Sequence, residues 1–254
     1  MCYQGKGNLK CLFEHIGHGF RMRRRRGFNI CYLCGQNLKG DLDADHVPPK
    51  QFYAGDIRKK HRLNLLTLPV HKSCHDPYKK DEEYFVHSIG PMAMDSYSGG
   101  EIWKDIVRRS RKPELIKLHE KVYKEFDERP SGLILPDGKV AKRFDGKRVW
   151  RIVWKITRGL FFKEKGIFLP DNTPRAFDLY SSGERPKPVF QHVVNEPSRG
   201  QYPGVFDYKY IELPKLNNFH FWAMLFWDRL IMQVGFHNPQ CPCEKCQNLI
   251  GQAV

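Results

Sequence analysis

Cysteine and histidine residues recur between residues 31 and 75 at a spacing typical of metal binding. The first pair is Cys31 and Cys34, and the second pair is His71 and Cys74. Two loops that each offer two such ligands, separated by two residues, form the tetrahedral site of a structural zinc ion. The sequence therefore predicts one structural Zn²⁺ held by these four side chains.

Three more groups with acid–base or ligand chemistry lie in the same segment, namely Asp45, His46 and His75. A carboxylate oxygen and an imidazole suit a hard or borderline divalent cation. An imidazole beside such a cation can accept or release a proton near neutral pH. These residue types predict a second, catalytic site that the zinc ion holds in place.

The runs CYLCG, DADHVPP and NLLTLPVHKSCH resemble the HNH, or His-Me finger, endonucleases that carry flanking zinc knuckles. In that family a β-hairpin followed by a helix holds one divalent cation, and the first histidine of the motif is the general base. The resemblance implies that His46 is the base and that Asp45 and His75 hold the catalytic cation, Mg²⁺ or Mn²⁺. It also implies that Asn64 is the middle residue of the motif and orients the His46 loop. The family usually has cysteine where this chain has His71, but imidazole is also a zinc ligand.

The predicted ββα unit must bring these side chains together. Adjacent residues on a flat strand point to opposite faces, so Asp45 and His46 require a bent strand to approach one phosphate. The sequence Val47-Pro48-Pro49 is expected to supply the bend. His75 is expected in the first turn of a helix that runs toward His87.

The predicted fold class is α+β, in two domains. Residues 1–90 are expected to form a zinc-stapled ββα-metal (His-Me) finger with a basic N-terminal arm. Residues 91–254 are expected to form an α+β domain with a strand-rich end, whose task the sequence leaves open, nucleic-acid recognition being one candidate. Trp222 and Trp227 are expected in its core. The pattern of apolar residues predicts one or two helices over 102–126 with a break near Pro113, a helix over 148–160, and strands over 205–213, 221–227 and 230–236.

The charge of the chain favours a nucleic-acid partner. Lys and Arg number 43 against 28 Asp and Glu, which gives a net charge of +15, and such an excess attracts polyanions through counterion release. The densest basic run precedes the first knuckle and is expected to clamp phosphates, although such a run is often a solvated tail. DNA is the predicted partner, RNA is the alternative, and the oligomeric state is left open. The run comprises Arg21, Arg23, Arg24, Arg25 and Arg26.

The remaining cysteines bear on a second metal site and on the compartment. Eight cysteines without a signal-peptide pattern indicate metal thiolates in a reducing cytoplasm, and no stretch has the length of a membrane span. Four residues near the C-terminus offer ligands for a second Zn²⁺, with unpaired thiols as the other interpretation. They are His237, Cys241, Cys243 and Cys246.

These patterns together predict a metal-dependent HNH endonuclease that hydrolyses DNA phosphodiester bonds, of the kind found in restriction, phage defence or mobile elements. A non-catalytic zinc-dependent nucleic-acid-binding module would carry the same knuckles, and the Asp-His pair would then be incidental. An RNA-directed nuclease is the third hypothesis. The functional role of Asn64 also has an alternative interpretation, because asparagine before an apolar strand is commonly a turn residue whose side chain bonds its own backbone.

Overall fold

The structure is a computed structural model that describes residues 29–128, 130–132, 134–136, 140–180, 190–200, 202, 204–213 and 219–237. Two groups of predicted functional residues lie outside the described residues. They are the basic run Arg21, Arg23, Arg24, Arg25 and Arg26, and the tail cysteines Cys241, Cys243 and Cys246.

The described chain contains six α-helices and eight β-strands, joined by short 3-10 turns, and the predicted α+β class is confirmed. In chain order the elements are β1 Leu42–His46, α1 Gly55–His61, β2 Thr67–His71, α2 Lys72–Ile89, α3 Tyr97–Arg109, α4 Ile116–Tyr123, β3 Phe126–Asp127, β4 Ala141–Lys142, α5 Gly146–Lys165, β5 Arg175–Tyr180, α6 Phe190–Val194, β6 Phe206–Leu213, β7 Phe219–Phe226 and β8 Leu230–His237.

The strands form three antiparallel sheets among the described residues. β1 pairs with β2, β3 pairs with β4, and the largest sheet has the order β5-β8-β7-β6. In the first pair Asp45 lies opposite Leu68 and His46 opposite Thr67, and α2 begins at the residue after β2. The predicted strand–turn–strand at the C-terminal end is confirmed, with a turn that includes Trp227 and Asp228 at positive φ.

Helix α5 forms where the apolar stripe predicted it, and it extends the predicted range at both ends. Val149, Ile152, Val153, Ile156 and Leu160 recur on one face and are all buried. At the N-terminus the Asp145 side chain caps the helix by accepting the Arg148 N–H. The helix therefore buries a full apolar face against the core, which fixes the position of the polar residues interspersed along it.

One apolar cluster joins the segment 31–33, α2, α5 and the large sheet. Trp222 and Trp227 are both fully buried, as predicted. The Trp227 indole N–H donates to the carbonyl of Phe52 at 2.8 Å, and Gly159 lets the Val47 side chain approach the backbone of α5. Residues on both sides of position 90 contribute to this cluster. The predicted domain boundary near residue 90 stays a prediction. None of the helices described is long and apolar enough to cross a membrane.

Candidate metal centres

The four predicted zinc ligands lie together in the structure. The ligand atoms of Cys31, Cys34, His71 and Cys74 are all within 4.8 Å of one another. The His71 Nδ1 atom is 3.3 Å from the Cys34 sulfur, and its Nε2 atom is 3.1 Å from the Asn37 carbonyl oxygen. The Lys39 N–H also approaches Nε2, at 3.5 Å, but the shorter contact with the carbonyl, which can only accept, favours a proton on Nε2 and leaves the Nδ1 lone pair facing the thiols. Three sulfurs and a nitrogen in this orientation fit a tetrahedral Zn²⁺.

A tight backbone turn presents the first two of these ligands. The Gly35 N–H donates to the Cys31 carbonyl at 2.8 Å, and the Cys31 N–H donates to the Gln36 carbonyl at 2.8 Å. Gly35 has a φ of 76°, and a Cβ atom there would approach the Phe168 ring to 2.9 Å. Glycine is therefore required at this position both for the left-handed backbone and for the close packing.

The thiols of this cluster differ in how readily they ionise. Burial acts to raise the pKa of Cys34, but the backbone N–H of Gln36 and the side chains of His71 and Cys31 outweigh it, so that pKa is lowered. Burial and the neighbouring thiols raise the pKa of Cys74 to about 11. Several thiolates can lie side by side only with a cation among them, which is the role that Zn²⁺ would have here.

A second group of potential ligands lies between strand β1 and helix α2. It consists of Asp45, His75 and Glu82, whose ligand atoms also lie within 4.8 Å of one another and whose side chains are all buried. His75 Nε2 is 3.3 Å from Asp45 Oδ1 and 3.9 Å from Glu82 Oε1. His75 lies in the first turn of α2, as predicted, and Glu82 follows it two turns later on the same face.

Asp43 orients the His75 ring. His75 Nδ1 donates to Asp43 Oδ2 at 2.9 Å, and this hydrogen bond is the largest cause of the lowered pKa of Asp43. In the neutral ring the Nε2 lone pair then faces Asp45 and Glu82. Histidines that bind metals are held in this way, by a carboxylate on the opposite ring nitrogen. Two carboxylates and one imidazole so arranged fit a hard or borderline divalent cation.

A buried lysine already contacts both carboxylates. Lys155, in the middle of α5, is 1% exposed, and its ammonium nitrogen lies 2.7 Å from Asp45 Oδ1. The same nitrogen is in still closer contact with Glu82 Oε1. Buried charges are costly unless they are paired, so this ammonium is the counter-charge of the two carboxylates in the structure.

The two candidate centres are joined through Tyr32, which lies between Cys31 and Cys34 in sequence. Tyr32 is 1% exposed, and its hydroxyl donates to Asp45 Oδ2. Burial, followed by the Asp45 carboxylate, raises the pKa of Tyr32 well above its ordinary value, so the phenol remains a donor. The guanidinium of Arg158, one turn beyond Lys155 on α5, donates to the Leu33 carbonyl at 2.5 Å. The segment that carries Cys31 and Cys34 is thus fixed to the same helix that supplies the lysine.

His46, the predicted general base, is half-buried beside this second centre. Burial lowers its pKa, and the Lys50 charge lowers it further; Asp45, His75 and Lys155 also act on it electrostatically. The ring is therefore neutral near pH 7, the form that can accept a proton. The candidate ligand group contains Asp45 and His75 but not His46, which is compatible with separate base and ligand roles.

Asn64 is exposed in the segment before β2, and no hydrogen bond joins its side chain to another described residue. Its predicted role in orienting the His46 loop stays a prediction, and so do the catalytic roles of the other residues.

Sequence reasoning missed four side chains of the second centre. Glu82 could have been predicted, because it follows His75 by two helical turns and therefore lies on the same helix face. Asp43 could also have been predicted, because it lies on the same strand face as Asp45. Tyr32 and Lys155 gave no signal, since each reaches Asp45 only through the tertiary fold.

Comparison of this chain with family models, with curated proteins and with solved structures finds no match.

Proposed function

We propose that the protein is a metal-dependent endonuclease that hydrolyses phosphodiester bonds in DNA. The observation that supports this most is the proximity of a neutral, half-buried His46 to the Asp45–His75–Glu82 group. The adjacent cluster of three cysteines and a histidine, which could hold a structural ion, supports it as well.

In the proposed reaction, His46 removes a proton from the attacking water. A neutral imidazole in this role contributes a factor of about 10²–10⁴ to the rate. A divalent cation at the second centre would offset the charge that develops on the phosphoryl oxygens and help the alkoxide to depart. Asp43 holds the His75 ring in its ligand orientation, and Tyr32 holds the Asp45 carboxylate.

Exposed basic residues at the end of helix α1 agree with a phosphate-rich substrate. Helix α1 lies between β1 and β2 in sequence, and it ends in a run of basic residues, several of which are exposed. No ion pair joins the exposed members to an acidic residue within the described part of the chain. Backbone phosphates are bound by such charges without regard to base sequence. The exposed members are Lys59, Lys60, His61 and Arg62, and Lys50 adds a further charge near His46.

One observation favours the second candidate, a non-catalytic zinc-dependent nucleic-acid-binding module. The Lys155 ammonium pairs with both Asp45 and Glu82, so the group has a counter-charge even without a divalent cation. Under this alternative Asp45, Glu82 and Lys155 form a structural ion cluster, and the chain binds nucleic acid without cutting it.

Incubation of zinc-loaded protein with supercoiled plasmid distinguishes the two candidates. The nuclease is expected to nick or linearise the plasmid in Mg²⁺ or Mn²⁺ and to lose this activity in excess EDTA. Binding in a gel-shift assay without cleavage under any of these conditions would favour the binding module. Single-stranded RNA, single-stranded DNA and duplex DNA tested side by side establish the substrate, and cleavage of RNA alone would refute the DNA assignment.

A further inference from the structure

We propose that Lys155 is an internal cation of the Asp45–His75–Glu82 group, and that a divalent cation enters this group by displacing the Lys155 ammonium. The inference rests on the proposed metal site but not on the cleavage reaction. Lys155 lies on α5, far in sequence from the segment that resembles the HNH motif, and it would influence metal affinity directly.

The two cations would compete for the same oxygen atom. Asp45 Oδ2 is engaged by the Tyr32 hydroxyl, which leaves Oδ1 for a cation. Lys155 Nζ is 2.7 Å from that Oδ1 atom, and His75 Nε2 is 3.3 Å from it. A divalent cation bound to the same oxygen at about 2.0–2.4 Å, with Nε2 as a further ligand, would overlap the space held by the ammonium.

Charge makes simultaneous binding unfavourable as well. Asp45 and Glu82 supply two negative charges in a buried group, and the ammonium neutralises one of them. A divalent cation alone neutralises both, whereas the divalent cation and the ammonium together leave an excess positive charge out of water. Binding of the metal is therefore coupled to movement of the Lys155 side chain.

The structure offers the displaced ammonium a nearby position. Its nitrogen is already 5.5 Å from the centre of the Tyr78 ring, within the range of a cation–π contact, and the Arg151 guanidinium contacts the same ring at 4.3 Å, so the ring already accepts cationic neighbours. Rotation of the flexible lysine chain toward this ring would clear the carboxylates without moving α5. The result is a group that remains paired both with and without its metal.

Mn²⁺ binding to the zinc-loaded full chain, followed by the decrease of the free-ion EPR signal, tests the proposal. Lys155→Met keeps the volume of the side chain and removes its charge, and we expect it to bind Mn²⁺ at least about tenfold more tightly than the wild type. Mn²⁺ should also raise the melting temperature of this variant more than that of the wild type, because a ligand that binds the folded state more tightly adds more stability at the same concentration.

The matched control is Lys142→Met, because Lys142 forms another buried pair, with Glu125, outside this group. It should lose stability without any change in Mn²⁺ affinity. Equal or weaker Mn²⁺ binding by Lys155→Met, or no Mn²⁺ binding by either protein, would overturn the proposal.

A second variant covers the case in which Lys155→Met does not fold. Glu82→Gln keeps the ammonium and removes one carboxylate, and we expect its Mn²⁺ affinity to fall at least about tenfold; unchanged affinity would refute the shared site. Plasmid cleavage is scored separately. If the proteins bind Mn²⁺ as expected but do not cleave the plasmid, only the proposed nuclease activity is refuted. If the wild type cleaves the plasmid but Lys155→Met binds Mn²⁺ no more tightly than the wild type, only the proposed displacement of the lysine is refuted.

Discussion

The hydrogen bond from Tyr32 to Asp45 gives a quantitative prediction for Tyr32→Phe. The phenylalanine ring fills the same buried space, so the change removes only a hydroxyl that donates to a carboxylate. Hydrogen bonds to charged groups contribute about 1.5–3 kcal/mol to the free energy of unfolding. In the variant the Asp45 Oδ2 atom would stay buried without a hydrogen-bond donor. We expect the free energy of unfolding to fall by this amount, because Lys155 continues to pair only with the other oxygen.

Urea denaturation at neutral pH with zinc-loaded protein measures this loss. Tyr53→Phe is the matched control, since Tyr53 is also buried but its hydroxyl donates no hydrogen bond to a described residue. We expect the control to change the free energy of unfolding by less than about 0.5 kcal/mol. A Tyr32→Phe protein as stable as this control would show that the knuckle does not hold Asp45, and would remove the proposed link between the two centres.

Two further predictions concern the zinc cluster and a buried histidine. We expect Cys31→Ser or Cys74→Ser to contain less zinc by elemental analysis and to melt at a markedly lower temperature, because a structural zinc contributes folding energy directly. A folded, zinc-free and fully active Cys31→Ser protein would contradict this. Burial, helped by the Arg109 charge, lowers the pKa of His87 to about 3. This neutral ring favours folding at neutral pH, and the advantage is lost as the pH falls from 6.5 toward 3. Between pH 6.5 and 5 we expect the wild type to lose roughly 1–2 kcal/mol of stability that His87→Phe does not lose, because only the histidine must take up a proton in the unfolded state. Parallel pH profiles for the two proteins would refute this.

The sequence was most informative where local pattern and chemistry coincide. The spacing of Cys31, Cys34, His71 and Cys74 predicted a cluster that the structure confirms as a potential metal site. Helix α5 followed from the apolar stripe that begins at Val149, and the strand–turn–strand of β7 and β8 followed from two strand-forming runs separated by turn residues. In each case the determining interactions are either local or a repeated side-chain period.

Long-range contacts explain what the sequence did not predict. Lys155 belongs to an otherwise ordinary amphipathic helix, and nothing in its neighbours indicates that its ammonium would meet Asp45, 110 residues earlier. The packing of α5 against α2, together with the contact between α2 and β1, brings them together. The same is true of Tyr32, which local reasoning treats as a spacer between two cysteines although it contacts Asp45.

Cleavage of supercoiled plasmid by His46→Ala tests the central proposal most directly. The comparison uses zinc-loaded proteins in Mn²⁺ at saturating DNA, with His192→Ala, an exposed histidine on α6, as the control. If His46 is the general base, its variant should lose a factor of about 10²–10⁴ in rate while folding, Mn²⁺ affinity and DNA binding remain close to those of the wild type and of the control. Cleavage by pure His46→Ala at nearly the wild-type rate would contradict the proposed active site.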